Sequence, residues 1–141
     1  MLGSLIKSLF GPTRIVQLEE RRAVGAAAPA LQQLIREIGV LKPKEIRPES
    51  SEDNLDAVIL RERLEEYETM LQGVFGKPAK SFDEKCRFAD PLDDKIDSIG
   101  GIDKGQCLYL RCFEDDCILY AALWPWGDPD KITLKLGMFD E

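Results

Sequence analysis

The chain has 141 residues, 44% of them hydrophobic and 32% charged, with a formal net charge of -7 and no histidine. That length suits one domain with a buried core, and the acidic balance argues against a nucleic-acid surface, which needs a basic stripe. Without histidine, a Ser–His or Cys–His nucleophile pair is excluded. The longest apolar run, residues 118–124, is far short of the ~20 residues that span a bilayer. A secretory leader is not expected either, because residues 2–10 are broken by Lys7 and Ser8 and the alanine-rich stretch follows a charged cluster. The expected setting is therefore a soluble protein of the cytoplasm, with Cys86, Cys107, Cys112 and Cys117 as reduced thiols.

In chain order, residues 1–10 place Leu2, Leu5, Ile6, Leu9 and Phe10 on one helical stripe, ended by Gly11-Pro12. A short helix folded back on the rest of the chain is favoured over an interfacial membrane helix, because Lys7 alone makes a poor polar face for anionic lipid. Thr13 can cap a helix running into the 20s, and Pro29 suits the first turn of another that carries Leu31, Leu34, Ile35 and Ile38 to a stop at Gly39. Residues 41–54, with Pro43, Pro48, serines and charges, suggest a linker or exposed loop. Ser51 or Asn54 then starts the most periodic segment of the chain, in which Ala57, Leu60, Leu64, Tyr67, Leu71 and Val74 recur at spacings of three and four. That seam predicts a helix closed by Gly73 and Gly76, packed internally or, as the sharper alternative, used for self-association. Residues 77–105 are polar and turn-rich, with a short element expected near residues 96–99.

Residues 106–113, 117–124 and 132–139 are rich in β-branched, aromatic and aliphatic side chains and predict three antiparallel strands. The turn at Glu114-Asp115-Asp116 allows two registers. One sets Cys112 opposite Cys117, and the other, longer by one residue, sends Ile118, Tyr120 and Trp124 to the core face.

Candidate chemistry is sparse. Cys107, Cys112 and Cys117 are evenly spaced but lack the paired knuckles of a zinc site, and buried free thiols are the simpler reading. Asp93, Asp94 and Asp97 form a DDxxD spacing that can clamp a magnesium–phosphate cluster. The chain offers neither a large helical cavity nor a second acidic motif, so a solvated helix start is expected. No metal or other cofactor is predicted. Trp124-Pro125-Trp126-Gly127 puts two large aromatic surfaces beside a loop, which makes Tyr120, Trp124 and Trp126 the candidate binding residues. Plugging one end of the core is the competing role for the tryptophans.

The fold predicted is α+β in a single domain over residues 1–141: N-terminal helices, to about residue 76, packed on an antiparallel β-meander of three or more strands at residues 106–139. The function expected is non-enzymatic, through protein–protein contact. A homodimer is one form of it, using Leu5, Ile6, Leu9, Leu60, Leu64, Tyr67 and Leu71. The alternative is a small-molecule-binding or enzymatic domain with a pocket between sheet and helices near Trp124 and Trp126.

Overall fold

The computed structural model describes residues 13–19 and 21–140. Leu5, Ile6 and Leu9 lie outside the described residues. The centre of the fold is a five-stranded antiparallel sheet of order β2-β3-β7-β6-β5. Its strands are β2 (Glu45–Ile46), β3 (Leu55–Leu60), β5 (Cys107–Cys112), β6 (Cys117–Pro125) and β7 (Lys131–Asp140). The predicted meander forms as expected, with β5, β6 and β7 antiparallel in sequence order. It grows to five strands because β7 also pairs with β3, setting Leu55 opposite Leu136 and Leu60 opposite Lys131. The α+β architecture follows, with helices α1 (Ala27–Val40), α2 (Leu64–Phe75) and α3 (Leu92–Ser98).

The hairpin takes the longer-loop register: Cys112 faces Ile118, and Phe113 donates its N–H to Cys117 O at 3.0 Å. Cys112 and Cys117 therefore do not face each other, and all four cysteines are free. The register sorts β6 by parity. Leu119, Ala121 and Leu123 join Tyr109, Leu134, Leu136 and Ile59 under α1 and α2. Ile118, Tyr120 and Ala122 join Leu108, Phe139, Leu92 and Ile96 on the opposite face. That face is covered by α3 and by a two-stranded parallel ribbon of β1 (Arg14–Val16) and β4 (Cys86–Phe88). Both parities of β6 are apolar, so both faces of the sheet need a cover.

Four expectations are corrected. Residues 55–60 are a strand, not the start of a helix. Leu-Asp-Ala-Val-Ile-Leu carries β-branched residues at its centre and is buried on both faces, with Leu55, Ala57 and Ile59 under the helices and Val58 opposite. The three-and-four spacing of Ala57, Leu60 and Leu64 straddles the junction from strand through a short 3-10 turn (Arg61–Arg63) into α2. Residues 14–16 likewise form β1 where a helix was expected, because they have an extended partner in β4 and Arg14 is tied to Glu84. Residues 41–54 are exposed or half-exposed, as a loop should be, but they are not a linker: they hold β2 and a closed loop, in which Ser50 Oγ accepts the Asp56 N–H at 2.9 Å and donates to Asp56 O at 3.2 Å. Gly39 does not stop α1. The helix runs to Val40, and Lys42 takes the positive φ of 53° that follows its end.

Of the seam, Tyr67 and Leu71 are fully buried in the chain's own core, whereas Leu60 and Leu64 keep part of their surface. Burying two such side chains contributes about 1.5–3 kcal/mol each, which ties α2 to the sheet. Gly76 closes α2 with a φ of 75°, donating its N–H to Gln72 O at 2.9 Å. The N-terminus of α1 has no side-chain cap from its own flank. An acid of the β5–β6 turn serves instead, Asp115 accepting the Ala27 N–H at 3.2 Å, while Glu114 holds the approach to the helix by accepting the Gly25 N–H at 3.1 Å. Among the described residues, no helix is long and apolar enough to cross a membrane.

Candidate functional site

β5 is an outermost strand, and an outermost strand presents backbone donors and acceptors that the sheet does not use. Among the described residues, this edge is covered at two points. Near its start, Lys80 exchanges two backbone bonds with Leu108, at 3.1 and 2.9 Å. Near its end, Ala23 donates to Cys112 O at 2.8 Å and accepts from the Glu114 N–H at 3.0 Å. In an antiparallel strand, successive residues turn their N–H and C=O to opposite edges. Tyr109 and Arg111 therefore bond to β6, while Leu108, Leu110 and Cys112 face outward. Leu110 falls between the two covers, and neither its N–H nor its C=O has a hydrogen-bond partner among the described residues.

The uncovered stretch is the floor of a cleft. Residues 17–19 and 21–24 form one wall and residues 72–79 the other, around adjoining depressions of about 380 and 480 Å³ that share Leu110 and Cys112. Both walls are anchored. Arg14 forks onto Glu84, with Nε to Oε2 at 3.0 Å and Nη2 to Oε1 at 3.1 Å, and also donates to Ala79 O. The Arg14 guanidinium, helped by the Ser81 N–H, holds the Glu84 carboxyl down to about 2. Lys80 is almost wholly buried, and its ammonium donates to Gln106 O at 2.7 Å and Ser81 O at 3.0 Å. Burial lowers its pKa, yet an amine locked onto two carbonyls fastens a loop to β5 and is not presented to a substrate. On the other wall, Arg22 reaches Phe113 O at 3.2 Å and Asp116 at 3.9 Å.

The charge of the cleft opposes that of the chain. Its described charged residues are Arg14, Arg21, Arg22, Lys77 and Arg111, against the single carboxylate of Glu19. Arg14 and Arg22 are paired with Glu84 and Asp116. Arg111 donates to Val74 O and lies over the Phe113 ring at 5.9 Å, which fixes its guanidinium at the end of α2 with donors to spare.

The predicted aromatic residues sit elsewhere. Tyr120, Trp124 and Trp126 share the face turned away from α1 and α2, so a pocket between sheet and long helices does not include them. Tyr120 is buried, stacked on Phe139 at 4.6 Å, and its hydroxyl is pushed up to about 12 by burial. Trp124 is half-buried, with Lys135 5.9 Å from its ring centre. Trp126 is 37% exposed and donates its indole N–H to Thr133 Oγ1 at 2.7 Å. Arg47 and Lys131 stand 5.9 and 5.3 Å from its ring centre. The indole faces thus already carry cations of the chain itself.

Asp93 and Asp94 lie in the first turn of α3, as the sequence predicts, and with Asp90 bring carboxylate oxygens within 4.8 Å of one another at the surface. Exposed acids at a helix start are explained by the helix dipole alone. Burial pushes the Cys107 thiol up to about 12 and the Tyr109 hydroxyl to about 12, leaving both protonated near neutral pH.

Sequence reasoning did not find the cleft. Arg21 and Arg22 read as neutralised by the adjoining Glu19 and Glu20, and Lys80 gives no local sign that it meets Leu108. Comparison of the chain with protein-family models, with characterised proteins and with solved structures finds no match.

Proposed function

We propose that the chain is a protein-interaction module that receives an extended peptide segment by strand addition to the β5 edge. The observation that carries this is the backbone N–H and C=O of Leu110, without a partner among the described residues and lying at the floor of a cleft between two covered stretches of the same edge. A peptide strand laid there completes the backbone pairing and gains affinity from main-chain bonds, with side-chain pockets on either face setting specificity. At about 3.3 Å per residue, the four steps from Leu108 to Cys112 span roughly 13 Å, which takes three or four residues of a partner. The closed ends suit recruitment of a short segment and not open-ended pairing, since Lys80 and Ala23 block a longer strand. No constellation of nucleophile, base and oxyanion donors forms among the described residues, which favours binding over catalysis.

Amide hydrogen exchange tests the reading. In the free protein the Leu110 amide should exchange rapidly while those of Tyr109 and Arg111, paired to β6, should be protected. Extended peptides selected from a random library should bind and slow exchange at Leu110. Protection of Leu110 in the free protein equal to that of its neighbours, or selected peptides that leave it unprotected, would refute strand addition.

A further inference from the structure

Resting on that reading, we infer that the segment received is acidic, its carboxylates drawn to Arg21, Lys77 and Arg111 at the cleft. The chain as a whole carries -7, so a cleft with a local excess of cations is not what average composition provides. Arg21 and Lys77 are exposed and have no carboxylate within salt-bridge distance among the described residues, and the same holds for Arg111. The three at the cleft stand around an uncovered backbone edge, where a strand's alternating side chains pass both walls. Cations in a concave site focus the field and draw an anionic partner in spite of the overall negative charge. Arg111 is the most specific of the three, because its guanidinium is already oriented by Val74 O and can fork onto a carboxylate. The occupant is thus an extended peptide carrying two adjacent aspartates or glutamates, one turned to each wall, toward Arg21 on one side and toward Lys77 and Arg111 on the other.

The test uses fluorescein-labelled peptides of about four residues, the length the gap takes, one with the sequence Val-Glu-Glu-Val and its counterpart Val-Gln-Gln-Val. Binding is followed by anisotropy and Leu110 exchange by NMR. The glutamate peptide should bind about tenfold more tightly, on the scale of two exposed ion pairs, and this advantage should shrink as salt rises from about 50 to 300 mM. Arg21→Gln and Lys77→Gln alter side chains with no partner among the described residues, so the fold is retained; together they should remove most of the advantage. Equal binding of both peptides with Leu110 protected overturns the acidic specificity and leaves strand addition standing. Binding of the glutamate peptide with Leu110 unprotected overturns strand addition and this inference with it. Failure of both peptides to bind overturns the acidic specificity, and the random library then decides strand addition by itself.

Discussion

Gly137 lies on β7 directly opposite Tyr120, and a Cβ built on it would stand 2.5 Å from the Tyr120 hydroxyl and 2.7 Å from two ring carbons. Its φ is not in the positive range, so the backbone itself accepts alanine. The cost of Gly137→Ala is therefore wholly steric. The ring cannot swing aside easily, because it is buried and stacked on Phe139 at 4.6 Å and 15°. Overpacking of this kind costs about 1–3 kcal/mol, offset by about 0.5–1 kcal/mol for removing a glycine from a strand. The net loss of roughly 1–2 kcal/mol corresponds to a Tm lower by about 3–8 °C for a domain of this size. Gly73→Ala is the matched control. Gly73 lies inside α2 with nothing within 4 Å of its added methyl, and it should raise Tm by about 2–3 °C. Urea unfolding of Gly137→Ala, Tyr120→Leu and the double variant then isolates the contact, with a coupling of about 0.5–3 kcal/mol expected. If Gly137→Ala is as stable as the parent, or its cost is unchanged beside Tyr120→Leu, the assigned packing of β6 on β7 is wrong.

Acid should weaken the wall that holds the cleft. Glu84 has its folded pKa depressed to about 2, so its contribution is fully present above the ordinary carboxylate value of about 4.3 and is lost as pH falls toward 2. Denaturation curves between those limits should be shallower in Glu84→Gln than in the parent, and equal slopes would remove the Arg14–Glu84 pair from the stability account. Thiol labelling near pH 8 should modify half-buried Cys86 and Cys117 slowly and leave buried Cys107 and Cys112 untouched until unfolding, when all four react. Rapid labelling of Cys107 in the folded protein, read by peptide mapping, would contradict its burial.

The meander is legible in the sequence because its residues are consistent at two levels, β-forming side chains and short turns between them. Its register is not, since Leu119 and Ile118 are equally apolar and either parity makes a plausible core; only the covers contributed by α3 and β1 reveal that both faces are used. The misreading of residues 55–60 has a different origin. Ala57, Leu60 and Leu64 fall at helical spacing although a strand ends between them, and the β-branched pair Val58-Ile59 is the local signal against helix. The cap of α1 comes from Asp115, nearly ninety positions away, where no pattern search along the chain looks. The cleft is hidden for the same reason. It exists because Lys80 and Ala23 cover two residues of β5 and not the one between them, a relation created by three distant segments.

The place of β7 in the sheet sets the order in which the molecule can be assembled. It is the strand between β3 and β6, yet it follows all the others in sequence. On a ribosome, β2–β3 and β5–β6 emerge as two hairpin halves with no edge in common, each displaying an apolar face and an open row of backbone groups. No strand pairing joins them until residues 131–140 leave the exit tunnel and slide between the two. Folding is thus bound to wait for its most distant contacts, which makes it slow and leaves the nascent chain exposed to unwanted strand pairing until the last strand arrives.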